Sequence, residues 1–245
     1  MLEELPDKME ITMKAQMTPE QKQIYKAALE RLRPRISQLL EEKGMERGRI
    51  EVLSAITELR EICCHPALVM NEYRGGSGKE DLLLELLPEM IGNGRRILLF
   101  SQFTSMLKLL RTRLEENGFS TLYLDGETPA EERLEMAERF NGGESQIFLI
   151  SLRAGGYGLN LTGADLVIHY DPWWNPATED QATDRAHRIG QQKKVQVIRL
   201  VTGESIEEQV VELGSRKKAL FERLITPGES AISALSEQDI RALFA

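Results

Sequence analysis

From Glu80 onward, short apolar runs alternate with longer amphipathic stretches, and nothing else in the chain constrains its fold as strongly. The runs cover residues 97–100, 121–124, 146–150, 166–170 and 195–201, and each reads as a buried strand. Helical periodicity fills the gaps near 104–116, 129–140, 176–188 and 206–224. Thr128 with Glu131 and Ser205 with Glu208 have the spacing of capping boxes and mark two helix starts. Alternation of this kind demands right-handed crossovers and a parallel sheet with helices on both faces. The expected class is therefore α/β, doubly wound.

The residues ahead of this region follow another pattern. In "KMEITMKAQM", Met9, Ile11, Met13 and Ala15 alternate with polar neighbours, as in a strand with one buried face. Thr18, Pro19 and Gln21 then open a helix with a capping box, and Pro34 is expected to kink or end it. Beyond a polar turn at 44–48, a second helix over 50–63 carries Leu53, Ile56, Leu59 and Ile62 on one stripe. The glycines of "NEYRGGSGK" suggest a flexible connection. The chain thus divides into a strand with a helical hairpin (1–75), the α/β domain (76–203) and a helical extension (204–245) whose last helix, after Ser236, packs back or reaches a partner.

Composition excludes several classes. No apolar run approaches the roughly 20 residues of a membrane span. The two cysteines, Cys63 and Cys64, are adjacent, which suits helix-end packing in a reducing compartment better than a structural disulfide or, with His65, a zinc site. An intracellular protein is expected. A net charge of −8 argues against a generally basic nucleic-acid surface but leaves room for a local groove.

In an open parallel sheet, ligands bind beyond the carboxyl ends of the strands. There the chain places "SQFTSM", "DGETP", "SLRAGGYGLNL" and "DPWWNP", which hold much of its hydroxyl, amide, glycine and indole chemistry. Gly155, Gly156 and Gly158 allow close approach of backbone to a phosphate, although a tight strand-to-helix connection explains them equally well. Asn175 and Pro176 suit the start of the next helix, and Glu179 and Asp180 its first turn. Gln181, Arg185 and Arg188 are spaced to share one helical face, where two guanidinium forks can converge on one anion. The alternative is a solvated face whose arginines pair with Asp184 or Glu179. Trp173 and Trp174 could be core aromatics or could lie against a sugar or base edge. "RGGSGKE" imitates a phosphate loop, but Tyr73 and Glu80 break the required G-x-x-x-x-G-K-[ST].

Together these segments resemble the second RecA-like lobe of the Swi/Snf-type DNA translocases of helicase superfamily 2, over nearly the whole chain. "ILLFSQFTSML" is similar to motif four, "YLDGETPAEER" to the segment after it, and "SLRAGGYGLNL" with "VIHYDPWWNP" to motif five and its extension. "DQATDRAHRIGQ" matches motif six through Gln181, Arg185, Arg188, Gly190 and Gln191. "LREICCHP" resembles the helical insertion before this lobe, and "KMEITMKAQMTPEQ" the strand leaving the first lobe.

The resemblance implies ATP bound between two lobes, with phosphates and Mg2+ held by the N-terminal RecA-like lobe. It assigns Arg185 and Arg188 as arginine fingers, Gln181 as the residue that positions them or the attacking water, and Gly156 with Gly158 as a nucleotide-sensing loop. It places Ser101, Gln102, Phe103, Asp125, Gly126, Ser151 and Trp174 against double-stranded DNA. Tyr157 departs from the small polar residue more usual at its position. A DNA-bound protein would be the object of the motor, in the nucleoid-associated cytoplasm of a prokaryote or the nucleus of a eukaryote.

The chain contains neither a complete phosphate loop nor an Asp-Glu dipeptide for magnesium. The expectation is the carboxyl-terminal half of a DNA-stimulated ATPase, inactive alone. A non-hydrolysing DNA- or protein-binding module, or half of a strand-separating helicase, are the other readings. A dinucleotide-dependent enzyme is disfavoured because G-x-G-x-x-G is absent near the first strand of the sheet.

Overall fold

The computed structural model describes residues 7–152, 154, 158–173, 176–216 and 235–244. They fall into two compact units: one within Met1–Lys14, Glu80–Pro172 and Ala177–Val201, the other within Ala15–Lys79, Trp173–Pro176 and Thr202–Ala245.

The first unit is a six-stranded parallel sheet in the order β1-β6-β5-β2-β4-β3. Its strands are β1 (Lys8–Ala15), β2 (Ile97–Ser101), β3 (Thr121–Leu124), β4 (Ile147–Ser151), β5 (Leu166–His169) and β6 (Val195–Thr202). Every residue of β2, β4 and β5 is buried, as expected of central strands covered on both faces. The connecting helices are α2 (Gly78–Gly92), α3 (Thr104–Glu116), α4 (Ala130–Asn141) and α5 (Pro176–Thr183). The α/β class and the five predicted strands of the domain are all present, within a residue or two at their ends. Helix α2 is an addition: it begins inside the glycine stretch that suggested a flexible connection.

Local corrections have physical causes. The alternation of β1 predicted a buried face, yet Met9 is 60% and Ile11 39% exposed, and Ala15 alone on that face is buried. β1 is an edge strand, and no described element covers that part of it. α4 lacks the Thr128 capping box: Pro129 occupies the N-cap position, and Thr128 Oγ1 accepts a hydrogen bond from the Asp125 N–H instead. At the start of α6 (Ile206–Arg216), Ser205 Oγ accepts from the Glu207 N–H, while Glu208 accepts from Glu204. The predicted continuation of α6 beyond 216 lies outside the described residues.

The second unit is built on α1 (Pro19–Cys64), whose two legs meet at Gly44, with φ 68° and ψ 175°, a conformation open to glycine. The expected Thr18–Gln21 capping box is present. Pro34 does not end the first leg, which continues through it with Pro34 on the exposed side. Tyr25, Ala28, Leu32, Ile36 and Leu40 from one leg pack with Val52, Ile56, Leu59 and Ile62 from the other. Ile206 and Val210 of α6 join this core, as do Ile240, Leu243 and Phe244 of α7 (Glu237–Leu243) or just beyond it. The final helix therefore packs back.

Buried polar groups organise this unit. Gln21, with no exposed surface, donates to the Ile62 and Cys63 carbonyls at 2.8 and 3.2 Å and accepts from the Gly78 N–H at 3.0 Å. A Cβ on Gly78 would lie 1.7 Å from the Gln16 carbonyl oxygen, so the chain passes there only as glycine. Lys79 Nζ lies 2.6 Å from Glu207 Oε2, both side chains fully buried, and Glu207 also accepts from the Thr202 N–H. The "GGSGK" segment is thus a packed crossing rather than a flexible linker. Cys63 and Cys64 close α1 as buried packing residues, and burial pushes the Cys63 thiol up to about 12. His65 Nδ1 accepts from the Ala67 N–H, capping the turn that follows.

No described helix is long and apolar enough to cross a membrane. Lys79→Ala would leave the Glu207 carboxylate buried without its cation, and urea denaturation is expected to show a loss of about 3–5 kcal/mol. A Lys79→Met/Glu207→Gln pair, which keeps the acceptor for Thr202, should recover most of that loss.

Candidate functional site

Parallel pairing brings the carboxyl ends of four strands to one edge. Ser101 of β2 is level with Ser151 of β4, Phe100 with His169 of β5, and Leu124 of β3 with Ile150. Asp171, two residues beyond the end of β5, organises the centre of this edge. It accepts from the Ser101 hydroxyl and from the Gln102 N–H, while Ser101 Oγ accepts from the Phe103 N–H. Ser101 is 1% exposed, so its hydroxyl shapes the turn into α3 and leaves Gln102 and Phe103 half-buried at the rim. Ser151 is likewise buried, its Oγ accepting from Ala154.

The loop after β3 is built the same way. Asp125 accepts from the Tyr123 hydroxyl at 2.7 Å and the Glu127 N–H at 2.9 Å. Burial works against its ionisation, but these bonds and the charge of Lys108 outweigh it and hold the carboxyl below its usual range. Arg133, also buried, donates to the carbonyls of Thr128 and Gly126 at 2.6 and 3.0 Å. Gly126 is left exposed at the tip.

The arginines are arranged differently from the helical face expected of them. α5 ends at Thr183, where bonds of three-residue spacing, Arg185 N–H to Ala182 and Ala186 N–H to Thr183, take over. Arg185 and Arg188 thus sit on a turn, and they converge there on Gly158. Arg188 Nη1 donates to the Gly158 carbonyl at 3.4 Å, and Arg185 Nη1 lies 3.9 Å from where a Gly158 Cβ would be. Gly158 takes φ 69°, a left-handed conformation that favours glycine. Gln191 fixes the turn from behind, with Nε2 donating to the carbonyls of Thr162, Ala164 and Ala186.

Among the described residues neither guanidinium forms an ion pair, although the charge of Asp184 acts on Arg185, and the buried Arg185 Nε has no acceptor. Burial first, and the positive charge of Arg188 second, press the Arg185 pKa below its ordinary value. Two guanidiniums in this state fit an anion with several oxygens. Asp184, His187, Arg188 and Ile189 line an open concavity of about 420 Å³ beside them. Gln181 is exposed on α5 and makes no hydrogen bond to either arginine among the described residues. Gly156, Trp174, Gly155, Tyr157 and Asn175 lie outside the described residues, and Trp173 is half-buried.

Glu179, read from sequence as a helix-dipole acid or a partner for the nearby arginines, is 3% exposed and pairs with Arg199 of β6 at 2.5 Å. Arg199 also reaches Glu10 at 2.8 Å, Glu10 reaches Lys8 at 2.7 Å, and Lys8 reaches Asp180 at 3.3 Å. His169, fully buried and with its pKa lowered by desolvation, shares a 3.1 Å hydrogen bond with Thr183. Asp171, Arg199 and His169 were missed from sequence. Only Asp171 left a signal there, as the acid directly following a strand.

Comparison with known proteins places this geometry among relatives. A helicase conserved C-terminal domain model matches residues 78–190, and an SNF2-related domain model matches residues 1–68. The chain is 40% identical over 240 residues to an ISWI chromatin-remodeling complex ATPase of Arabidopsis thaliana, covering 93% of this chain and 22% of that protein. The chain spans about a quarter of the length of the curated relatives it matches. It superposes on the Sulfolobus solfataricus SWI2/SNF2 ATPase core in complex with dsDNA with a TM-score of 0.80 and 35% identity, over 97% of this chain and 50% of that one. The separate C-terminal domain of that Sulfolobus ATPase gives a TM-score of 0.77 at 32% identity, over 97% and 98% of the two chains.

The ion pairs beside the site have a pH signature. Burial alone would raise the Glu10 carboxyl, but its hydrogen bonds to Lys8 and Arg199 prevail and hold it at about 2, below the ordinary 4.5. A carboxyl depressed in the folded state contributes stability above its unfolded pKa and loses it as acid titrates the folded form. Thermal melts from pH 5 down to 2 should show this contribution declining, and Glu10→Gln should flatten that part of the profile.

Proposed function

Because the chain belongs to the SWI2/SNF2-type ATPases as their C-terminal helicase lobe, we propose that it supplies the arginine fingers and part of the DNA track of an ATP-driven motor on double-stranded DNA. The observation that carries this reading is the convergence of Arg185 and Arg188 on Gly158, with no ion pair to either guanidinium among the described residues. In the proposed role both guanidiniums face the γ-phosphoryl group of ATP held by a first lobe, which also holds Mg2+. Their charge and planar donors stabilise the negative charge that develops as that group transfers. Gly158 keeps the backbone close to both, and Gly156 and Gln181 are assigned to the same nucleotide-sensing surface.

The DNA track runs along the carboxyl edge of the sheet. Gln102, Phe103 and Gly126 reach the rim, whereas Ser101, Asp125 and Ser151 are buried and hold the loops in shape. Trp174 is assigned to the same face. Short polar groups and backbone N–H groups bind phosphate without reading sequence, which suits a motor and reconciles DNA binding with a net charge of −8. The phosphate loop and acidic box required for hydrolysis belong to the first lobe, so this chain alone is proposed to be inactive.

The test is ATP hydrolysis, with and without duplex DNA, by this chain alone and by the ATPase that joins it to a first lobe. The lone chain should be silent and the joined protein stimulated. Arg188→Ala should lower that rate by about a thousandfold or more with DNA affinity intact. Arg185→Lys should also fail, since an ammonium cannot reproduce the planar fork. Hydrolysis by the lone chain, or full activity of Arg188→Ala, would refute the assignment and favour a binding module.

A further inference from the structure

We infer that Glu179, Arg199, Glu10 and Lys8 form a positioning clamp that sets where α5 delivers Arg185 and Arg188, an inference that rests on the arginine-finger reading above. α5 is only eight residues long and has almost no apolar face: among its described side chains Ala182 is the one buried apolar group, beside Glu179 and Thr183. Burial of hydrocarbon, the usual way to seat a helix on a sheet, cannot fix its position. Polar contacts replace it at three places. Glu179 meets Arg199 of β6 at 2.5 Å, Asp180 meets Lys8 of β1 at 3.3 Å, and Thr183 meets His169 of β5 at 3.1 Å.

These contacts are directional in a way that apolar packing is not. Arg199 uses Nε for Glu179 and Nη1 for Glu10, so its rigid fork relates α5 to β1 through β6. Burying Glu179 to 3% exposure carries a desolvation cost that well-packed hydrocarbon would avoid, and such a cost is understandable where geometry matters more than stability. One residue, Asp184, separates the last tie at Thr183 from Arg185. A shift of the helix is therefore passed almost undiminished to the arginine turn. Misplacement of a reacting group by about 1 Å can cost on the order of a hundredfold in rate.

The experiment uses the full-length ATPase, with Glu179→Gln and Lys8→Gln made singly and each combined with Arg188→Ala, and reads single-turnover hydrolysis, KM for ATP and affinity for duplex DNA. Glu179→Gln should lower the DNA-stimulated rate on the order of tenfold to a hundredfold. KM and DNA affinity should stay within about twofold, and in the Arg188→Ala background the same change should alter the residual rate by less than about twofold, because the group it positions is gone. Equal losses in both backgrounds, or a parallel fall in DNA affinity, would make the network merely structural and overturn the inference. Should Glu179→Gln fail to fold, Lys8→Gln, which cuts only the half-exposed end of the clamp, decides by the same criterion. If Arg188→Ala abolishes the rate while both clamp variants remain fully active, the clamp alone is wrong. If Arg188→Ala is fully active, the finger reading falls and the clamp with it.

Discussion

Parallel pairing of β2 with both β4 and β5 is the constraint on which the rest of the α/β unit depends. Strands that run the same way cannot be joined by tight turns, so each must be followed by a crossover, and every carboxyl end emerges at one edge. That register alone sets Ser101, Ser151, Asp171 and Asp125 side by side from four distant parts of the sequence. The hydrogen bonds of Asp171 and Asp125 then turn the emerging loops into defined shapes. Gln102, Phe103 and Gly126 are left at the rim.

Charge is handled in two opposite ways. Where position matters to the fold, cations and carboxylates are matched: Lys79 with Glu207 in one unit, and Arg199 with Glu179 and Glu10 in the other. At the turn holding Arg185 and Arg188 neither guanidinium has an ion pair among the described residues, and Arg185 is partly desolvated beside Arg188. Two like charges held this close repel each other, and an anion bound between them, as the proposed function requires, would relieve that cost.

Legibility in the sequence followed the range of the interactions. Thr18 and Gln21 are three residues apart, and their capping box was readable because both partners lie within one turn. The strands were readable because continuous apolar runs can scarcely be placed elsewhere than inside a sheet. The cap expected at Thr128 failed because Asp125, in the preceding loop, takes the hydroxyl first. The face expected of Arg185 and Arg188 failed because α5 stops at Thr183, whose hydroxyl meets His169, fourteen residues earlier. The glycines of "GGSGK" looked flexible since composition cannot reveal that Gly78 passes against the Gln16 carbonyl or that Lys79 is buried against Glu207, 128 residues away.

The sequence by itself determined the alternating strands and helices, the helical hairpin and the motif residues that ally the chain with the SWI2/SNF2 lobe. Each of these is written in local periodicity or in short fixed spacings. Only the tertiary structure decided that β1 would be an exposed edge, that the glycine stretch would be packed, and that two arginines beyond a helix end would meet at Gly158. These outcomes depend on which distant group reaches a donor or acceptor first, and on what is left uncovered when the sheet is assembled. A linear pattern carries neither piece of information.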